Sequence, residues 1–446
     1  MYTKNGEMKV MKVTKIETNY SRNMFLKMSE IKPGKYKENI ENKVINIYPE
    51  IEYQQFIGFG GAITQAAGIV YQQLSKEKQE EFLNEYFKTC KYNLCRVPIG
   101  SCDFSPEMYS YSYKKDLSDF SIEKDHKYIM PLLKDALRIN PELKLLASPW
   151  SPPAFMKNNK MLTLGGRLNE KYYELYALYL AKYIKEYEKE GINIQYTTIQ
   201  NEPNATQIWE SCLFNKEEEM RFLNAFLKPV FENENIKTKI LVYDHNKEKL
   251  FSRAEYMLNN SNIDGIAYHW YTGDHFESVK LCSELYPNKL LIHTEGCVGF
   301  SNFNKEDEIK NAEIYAHDII GDLSSGCNGY IDWNILLDSR GGPNHKKNYC
   351  NSPVMVTKEE NDYYKNLSYY YIAQFAKVIL PNSRKIAVSK YIDKIELVAF
   401  KNENEDIGIV LLNRNDTNYE YNLCLDDIMI HDNLDKHAMV SYLIQK

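Results

Sequence analysis

The sequence predicts an α/β protein, a (β/α)8 TIM barrel with a small attached β-sandwich domain, and three observations support this prediction. Through the middle of the chain, eight short β-like segments alternate with amphipathic helical segments. Both ends read instead as short strands separated by Asn- and Asp-rich turns. The length of 446 residues suits a barrel of roughly 250 to 350 residues plus one modest appendage.

The first strand-like segments lie near the N-terminus and come without a long helix. They run from Val10 to Ile16, from Met24 to Met28 and from Val44 to Ile47. So few strands do not close a sandwich by themselves.

The middle of the chain repeats strand, loop and helix. Short connections favour a closed barrel over an open doubly wound sheet, whose first turn would carry a Gly-x-Gly-x-x-Gly phosphate loop. The run Gly58-Phe59-Gly60-Gly61 has the wrong spacing for that loop. The predicted barrel strands are Phe56 to Ala62, Asn93 to Ile99, Leu143 to Pro149, Ile194 to Gln200, Lys239 to Tyr243, Gly265 to Trp270, Lys289 to Thr294 and Gly329 to Trp333.

Five amphipathic helices are predicted between these strands. Ser121 is the candidate N-cap of the second helix, and Gly191 ends the third. The five run from Lys76 to Lys88, Ile122 to Arg138, Glu170 to Glu190, Lys216 to Glu232 and Asn311 to Leu323.

Beyond Ile386 the chain returns to the pattern of its N-terminus. We therefore expect the two ends, residues 1–52 and 384–446, to pair into one β-sandwich that is interrupted by the barrel, residues 53–383. The C-terminal strands are predicted at Ile395 to Phe400, Ile407 to Leu412, Tyr419 to Leu423 and Ala438 to Leu443.

Composition and charge argue against several classes of function. The net charge is −6 with Lys and Glu interspersed, so no basic face and no nucleic-acid partner are expected. Residues 1–18 lack the apolar core of a secretory signal, and no apolar run is long enough to span a membrane. We expect a cytoplasmic protein, with secretion after processing left open. The nine cysteines lack disulfide or zinc spacing and are expected to be reduced. No oligomeric state is predicted.

Two carboxylates follow predicted barrel strands and are the candidate catalytic groups. Glu202, in Asn201-Glu202-Pro203, follows strand four, and Glu295, in His293-Thr294-Glu295-Gly296, follows strand seven. The loops leaving the carboxyl ends of barrel strands build the active site of such folds. Two carboxylates there divide the labour of glycosidic bond cleavage, because one protonates the leaving oxygen while the other attacks the anomeric carbon. The separation is ~5 to 5.5 Å in retaining enzymes and ~6.5 to 9.5 Å in inverting ones.

Seven ordered motifs are spread along the chain. They are Gly58-Phe59-Gly60-Gly61-Ala62-Ile63-Thr64, Arg96-Val97-Pro98-Ile99-Gly100-Ser101-Cys102-Asp103-Phe104-Ser105, Ala147-Ser148-Pro149-Trp150-Ser151-Pro152-Pro153, Asn201-Glu202-Pro203, His269-Trp270-Tyr271, Thr294-Glu295-Gly296-Cys297, and Asp332-Trp333-Asn334 with Gly341-Gly342-Pro343-Asn344. Together they resemble glycoside hydrolase family 30, the family of the lysosomal glucosylceramidases and their bacterial relatives. The resemblance covers nearly all of the chain and implies the same barrel with a β-sandwich built from both chain ends.

The resemblance implies a retaining double displacement with Glu202 as general acid/base and Glu295 as nucleophile. The acid is expected in a partly desolvated setting that keeps it protonated, and Arg96 is expected to hold Glu295 ionised. Arg96 as a buried structural ion pair is the alternative. Asn201 resembles the residue that binds the sugar 2-hydroxyl. Tyr271 is expected to hydrogen-bond the nucleophile, unless it only fills space.

Further residues match positions around the innermost sugar. Aromatic rings stack on the CH faces of sugars, and carboxylates bind their hydroxyls. Three of the four tryptophans fall at predicted strand ends, which core packing alone does not favour. The implied sugar-binding residues are Asp103, Trp150, His269, Trp333 and Asn348.

Two other classes of function stay open at the sequence level. His245, His269 and His293 fall near the ends of strands five to seven and would suit a zinc-dependent hydrolase, but strand one lacks the expected His-x-His. We expect no metal or cofactor and neutral histidines around a sugar pocket. A carbohydrate-binding protein without catalysis is the other alternative, although such a protein typically loses a carboxylate.

The expected substrate is a β-linked glucoside, either a small glycan or a glycolipid. Asp103 beside Trp150 favours a hexose with a free 4- or 6-hydroxyl. His345 stands where glucosylceramidases carry tryptophan, and the segments 272–279 and 346–357 are expected to be loops that meet the leaving group. A β-glucosidase of the glucosylceramidase type, in carbohydrate or sphingolipid metabolism, is therefore predicted. Endo-β-1,6-glucanase, β-xylosidase and β-fucosidase activities are the alternatives.

Overall fold

The computed structural model describes residues 11–300, 307–359 and 361–445, and in them a closed parallel barrel adjoins a ten-stranded sheet. The α/β fold class predicted from the sequence is confirmed. Val10, the first residue of a predicted strand, lies outside the described residues. The N-terminal strands all join the sheet; they are β1 (Lys12–Asn19), β2 (Met24–Ile31), β3 (Gly34–Lys35) and β4 (Val44–Gln55).

All eight predicted barrel strands are confirmed. They are β5 (Gly58–Ala62), β6 (Leu94–Ile99), β7 (Lys144–Pro149), β8 (Ile194–Thr198), β9 (Lys239–Asn246), β10 (Gly265–His269), β11 (Leu290–Glu295) and β12 (Gly329–Asp332). Each pairs in parallel with the next, and β12 closes onto β5 through the register Gly329 to Gly58. Seven buried apolar side chains, one from each strand except β5, fill part of the interior, among them Leu94, Tyr196 and Ile331. The barrel interior is thus a packed core. Room for a binding site is left beyond the carboxyl ends of the strands.

The helices between these strands pack their apolar faces on the barrel. They are α1 (Gln65–Gln73), α2 (Lys76–Leu83), α3 (Glu123–Lys127), α4 (Ile129–Ile139), α5 (Tyr173–Lys189), α6 (Lys216–Phe222), α7 (Lys228–Asn233), α8 (Leu250–Asn260), α9 (Phe276–Leu285), α10 (Glu308–Ser324) and α11 (Leu367–Val378). Within the described ranges, no helix is both long and apolar enough to cross a bilayer. The segment 272–279, expected to be a loop, ends in the first turn of α9.

The predicted helix from Ile122 to Arg138 is divided into α3 and α4. Pro131 has no N–H to donate to the carbonyl of Lys127, which is the last residue of α3. The side chain of Gln72 donates to that carbonyl instead, at 2.7 Å. Ser121, predicted as the N-cap, lies one residue before the observed N-cap Ile122, and its hydroxyl accepts from the backbone N–H of Glu123 at 3.2 Å.

The C-terminal strands complete the sheet begun at the N-terminus. After the short hairpin of β13 (Val354–Val356) and β14 (Tyr363–Lys365) come β15 (Arg384–Lys390), β16 (Glu396–Lys401), β17 (Ile407–Asn413), β18 (Tyr419–Leu425), β19 (Ile428–Leu434) and β20 (Ala438–Gln445). The strand order is β2-β1-β20-β17-β16-β15-β4-β18-β19-β3. The sheet folds on itself into the sandwich, since Tyr421 of β18 and Tyr442 of β20 share a hydrogen bond of 2.5 Å across its core.

Candidate active site

Glu202 and Glu295 line one cavity at the carboxyl ends of the barrel strands. Glu202 follows β8, and Glu295 is the last residue of β11. The cavity has a volume of about 710 Å³. Its wall includes most of the residues that the sequence assigned to the site, namely Asp103, Trp150, Asn201, Tyr271, Trp333 and Asn348. Arg96 and His269 do not line the cavity; they are fully buried and contact the two glutamates from the barrel interior.

The backbone of Glu202 has a left-handed conformation that few residues other than glycine adopt. Its φ is 48°, and such a conformation costs about 1 to 3 kcal/mol. Two hydrogen bonds hold the segment in place: Glu202 N–H donates to the carbonyl of Asp244 at 2.9 Å, and Asn201 N–H donates to the carbonyl of Pro149 at 2.8 Å. Neighbouring barrel strands thereby set the direction of the carboxylate.

Both carboxylate oxygens of Glu295 accept hydrogen bonds. Arg96 Nη1 lies 2.5 Å from Oε2, and the hydroxyl of Tyr271 donates to Oε1 at 2.9 Å. The residue after Glu295 is Gly296. A Cβ at this position would lie 2.8 Å from the ring of Trp270, so a larger side chain does not fit. The contacts that the sequence predicted for Arg96 and Tyr271 with Glu295 are present.

Arg96 is also the centre of a buried hydrogen-bond network on the barrel axis. Its Nη2 donates to Asn201 Oδ1 at 2.7 Å and to Asp244 Oδ2 at 2.9 Å, and its Nε donates to Ser148 at 3.2 Å. The guanidinium lies 4.8 Å from the ring of Trp150. Arg96 therefore forms a buried ion pair with Asp244 and also contacts Glu295. Both of the roles considered for it from the sequence are present.

Asp244 is the buried residue of the site that sequence analysis missed. It accepts hydrogen bonds from Arg96, Ser148, Thr198, His269 and Thr294, at 2.6 to 3.2 Å. Burial alone would raise the pKa of Asp244, but Arg96 and His269 outweigh burial and hold that pKa well below its usual value. The predicted strand five stopped at Tyr243, one residue short of this aspartate. The strand-end rule that found Glu202 also applies to Asp244.

His269 lies between Asp244 and Glu202. Its Nε2 is 3.2 Å from Asp244 Oδ1, and its Nδ1 is 3.7 Å from Glu202 Oε1. Burial alone would lower the pKa of His269, but the surrounding carboxylates of Glu295, Asp244 and Glu202 raise it to about 9. The expectation of a neutral His269 on the pocket wall is wrong, because three acids surround a ring that the cavity does not reach.

The imidazolium of His269 also changes the pKa of Glu202. Burial alone would raise the pKa of Glu202, but the neighbouring His269 holds it below its usual value. The desolvated setting predicted for Glu202 is therefore present, but in the presence of His269 it does not raise the pKa of Glu202. The lowered pKa of Glu202 and the raised pKa of His269 both favour the proton of this pair on the imidazole. Gln207, a contact that the sequence did not indicate, donates to Glu202 Oε2 at 3.4 Å.

The inner end of the cavity is aromatic and amide-rich. Trp150 and Trp333 stack with ring centroids 5.3 Å apart. Asn344 and Asn348 each donate to Asp103 Oδ2 at 3.1 Å, so among the described residues Oδ1 is left without a donor. Burial raises the pKa of Asp103 to about 7, against the hydrogen bonds from Asn348 and Asn344. This end offers stacking surfaces and polar groups to a sugar ring.

His269 and His293, two of the three histidines considered as zinc ligands, contact different carboxylates. His269 contacts Glu202 and Asp244, whereas His293 Nδ1 lies 2.7 Å from Asp322 and 3.1 Å from Asp318 on α10. The ammonium of Lys247 also lies 2.5 Å from Asp318 and 3.2 Å from Asp322. The buried ammonium already balances this acidic cluster. A shared three-histidine metal position is therefore not formed.

Comparisons with known proteins agree with this fold. The family model described as the glycosyl hydrolase family 30 TIM-barrel domain matches residues 56–379. The model described as the glycosyl hydrolase family 30 beta sandwich domain matches residues 382–442. The chain belongs to glycosyl hydrolase family 30.

Relatives within the family act on different substrates. A lysosomal acid glucosylceramidase of Mus musculus is 32% identical over 398 residues, which is 83% of this chain and 77% of the relative. An endo-1,6-beta-D-glucanase of Neurospora crassa is 27% identical over 352 residues, 74% of this chain and 71% of the relative. The crystal structure of SrfJ from Salmonella typhimurium is 34% identical with a TM-score of 0.94, over 98% of this chain and 100% of the other. Membership of family 30 makes this protein a glycoside hydrolase.

Proposed function

We propose that this family 30 hydrolase is a retaining β-glucosidase of the glucosylceramidase type, with Glu202 as general acid/base and Glu295 as nucleophile. The observation that carries the proposal is the unequal pairing of the two glutamates across one cavity. Glu295 is held by two hydrogen-bond donors, one of them the permanently charged Arg96. Glu202 faces His269, a group that exchanges a proton.

In the first step Glu295 attacks the anomeric carbon and the bond from that carbon to the leaving oxygen breaks. Glu202 transfers its proton to the leaving oxygen, and the leaving alcohol departs. In the second step a water molecule gives a proton to Glu202 and attacks the anomeric carbon. The bond to Glu295 then breaks, and the two inversions leave the β configuration unchanged.

His269 supplies the proton that Glu202 needs. The raised pKa of His269 and the lowered pKa of Glu202 mean that the pair holds one proton near neutral pH. A substrate that covers Glu202 removes the water that stabilises its charge, which favours transfer of the proton from Nδ1 to the carboxylate. Glu202 is thus protonated when the sugar is bound.

A β-glucoside is the favoured sugar because of the inner end of the cavity. The Oδ1 of Asp103, to which no described residue donates, suits a 4- or 6-hydroxyl, and Trp150 presents a ring face beside it. Asn201, which accepts from Arg96, is assigned to the 2-hydroxyl; its amide nitrogen is the donor that remains for the sugar. Endo-β-1,6-glucanase activity is the second candidate, supported by the likeness to solved and curated glucanases at 27% identity.

A mechanism-based label tests the proposal. We expect 2-deoxy-2-fluoro-β-glucosyl fluoride to inactivate the enzyme with a stoichiometry near one, and peptide mapping to find the sugar on Glu295. Aryl β-glucoside, β-xyloside, β-fucoside and β-galactoside substrates then rank the sugars. A label on another residue would refute the assignment of the nucleophile. Hydrolysis of none of these glycosides, with retained sugar binding, would favour a carbohydrate-binding protein.

A further inference from the structure

The cavity continues beyond the catalytic carboxylates to a second polar region, which is lined by both domains. Asp274 before α9, His317 on α10 and Arg414 after β17 all line it. Arg414 belongs to the sandwich, whereas the other two belong to the barrel. We call these three residues the outer cluster. The outer cluster is more exposed to solvent than the inner end of the cavity. The side chain of Asp274 is 64% exposed, whereas Asp103 is 4% exposed.

Hydrogen bonds hold the outer cluster together across the domain boundary. His317 Nε2 is 3.1 Å from Asp274 Oδ2, and Arg414 Nη2 is 2.9 Å from His317 Nδ1. Glu396 of β16 lies behind them, where it accepts from Arg414 Nε at 2.6 Å and lies 2.6 Å from His317 Nδ1. Asn413 secures the turn that carries Arg414, because its amide donates to the carbonyl of Thr417 at 2.8 Å.

The outer cluster keeps unused hydrogen-bonding capacity. Among the residues that the structure describes, Arg414 Nη1 has no acceptor and Asp274 Oδ1 has no donor. Arg414 is held by the hydrogen bond from its Nε to Glu396, so Nη1 is presented by a side chain that has less freedom to lose on binding. The cluster therefore resembles a prepared binding surface more than a closed ion pair.

The order of strands around the barrel places the outer cluster on the side of the leaving group. Asp103, Trp150 and Trp333 follow β6, β7 and β12, which flank β5 on one side of the ring. Glu202 follows β8 and Glu295 ends β11, and the loop after β10, with Asp274, lies between them on the other side. A sugar stacked at the inner end therefore directs its anomeric substituent toward the outer cluster.

We propose that the outer cluster is a leaving-group subsite for a second sugar, and that Arg414 of the sandwich domain determines specificity there. This inference rests on the proposed β-glucosidase function. Sugar hydroxyls donate and accept together, as a neighbouring guanidinium and carboxylate require. An acyl chain would instead cover charged groups without replacing their water, which is costly. A cavity of about 710 Å³ also has the size of sites that take ligands larger than one hexose.

Substrates with and without a leaving sugar test this subsite. Gentiobiose, a β-1,6-linked glucose disaccharide, and 4-nitrophenyl β-glucoside share the inner sugar and differ in the leaving group. We expect Arg414→Gln to lower the ratio of kcat/KM for gentiobiose over the aryl glucoside by roughly ten- to 100-fold, the effect of one hydrogen bond to a charged group. The loss should fall mainly on KM. Arg414→Lys should recover part of it, because an ammonium still donates.

Two further variants separate binding from folding. Arg384→Gln removes an arginine of the same domain that is remote from the cavity lining and pairs with Glu52 on the surface, so its ratio should match that of the wild type. Asp274→Asn changes the exposed partner on the barrel and should lower the ratio as Arg414→Gln does. If Arg414→Gln fails to fold, the Asp274→Asn ratio decides the question.

Three results would overturn the inference and leave the proposed function standing. The first is an unchanged ratio in the folded Arg414→Gln and Asp274→Asn variants. The second is an equal loss on both substrates, which indicates a structural role. The third is a wild-type enzyme that cleaves the aryl glucoside and micellar glucosylceramide but not gentiobiose or its 1,3- and 1,4-linked isomers. Failure to cleave any β-glucoside would instead remove the proposed function itself.

Discussion

The two catalytic glutamates lie on one rim but in opposite environments. Glu295 accepts from Arg96, whose charge does not change at any working pH, and from the hydroxyl of Tyr271. Glu202 faces His269, whose charge is lost as the pH rises through about 9. A permanently charged partner keeps the nucleophile Glu295 ionised for attack. A titrating partner suits Glu202, because this residue must donate and accept a proton.

Removal of the nucleophile should have the largest effect on activity. We expect Glu295→Gln to lower kcat by roughly 10⁴- to 10⁶-fold on every β-glucoside, since no other group replaces the covalent step. The fold should survive, because the amide oxygen still accepts from Arg96 and the amide nitrogen donates to the hydroxyl oxygen of Tyr271. Steady-state kinetics and thermal unfolding measure both statements. An exposed control, Glu217→Gln on α6, should leave both unchanged.

Removal of the acid should have a smaller effect that depends on the substrate. We expect Glu202→Gln to lower kcat by about 10² to 10⁴-fold on glucosides with poor leaving groups. Formation of the glycosyl-enzyme from 2,4-dinitrophenyl β-glucoside should be largely spared, because that leaving group needs no proton. Added azide should then restore turnover and yield β-glucosyl azide. The α-anomer as product, or an equal loss on all leaving groups, would contradict the roles assigned to the pair.

Removal of the titrating partner should have the smallest effect and a distinct pH signature. In the wild type, the pair holds its proton below a pH of about 9 and loses it above, so kcat/KM should fall as the pH rises through that value. In His269→Gln, Glu202 alone carries the proton, and the alkaline limb should move to lower pH. At pH 7 we expect a loss of roughly ten- to 100-fold. An unmoved alkaline limb in a folded variant would separate His269 from the acid.

Much of the fold and the two glutamates could be predicted because their signals are local. Strand periodicity and short connections located all eight barrel strands, and the strand-end rule selected Glu202 and Glu295. Asp244 directly followed the predicted strand five and so had the same local signal, although β9 continues to Asn246. The break in the helix from Ile122 to Arg138 also has a local cause, since Pro131 lacks the N–H that would bond to the carbonyl of Lys127.

Protonation states and the second end of the cavity had no such local signal. His269 carries a raised pKa only because β8, β9 and β11 bring three carboxylates around it, and the sequence alone predicted a neutral ring. Arg414 reaches the cavity of the other domain only because the sandwich packs beside α10. Neither fact depends on residues that are neighbours along the chain.

By itself, the order of polar and apolar residues determined the barrel, the pairing of the chain ends and the two rim carboxylates, because each depends on short-range periodicity and on where strands stop. The tertiary structure alone decided which charges face one another, and hence where the proton of the acid pair is held and what lies beyond the first sugar. The physical reason is that electrostatic energies depend on distance and burial in space, and sequence separation specifies neither.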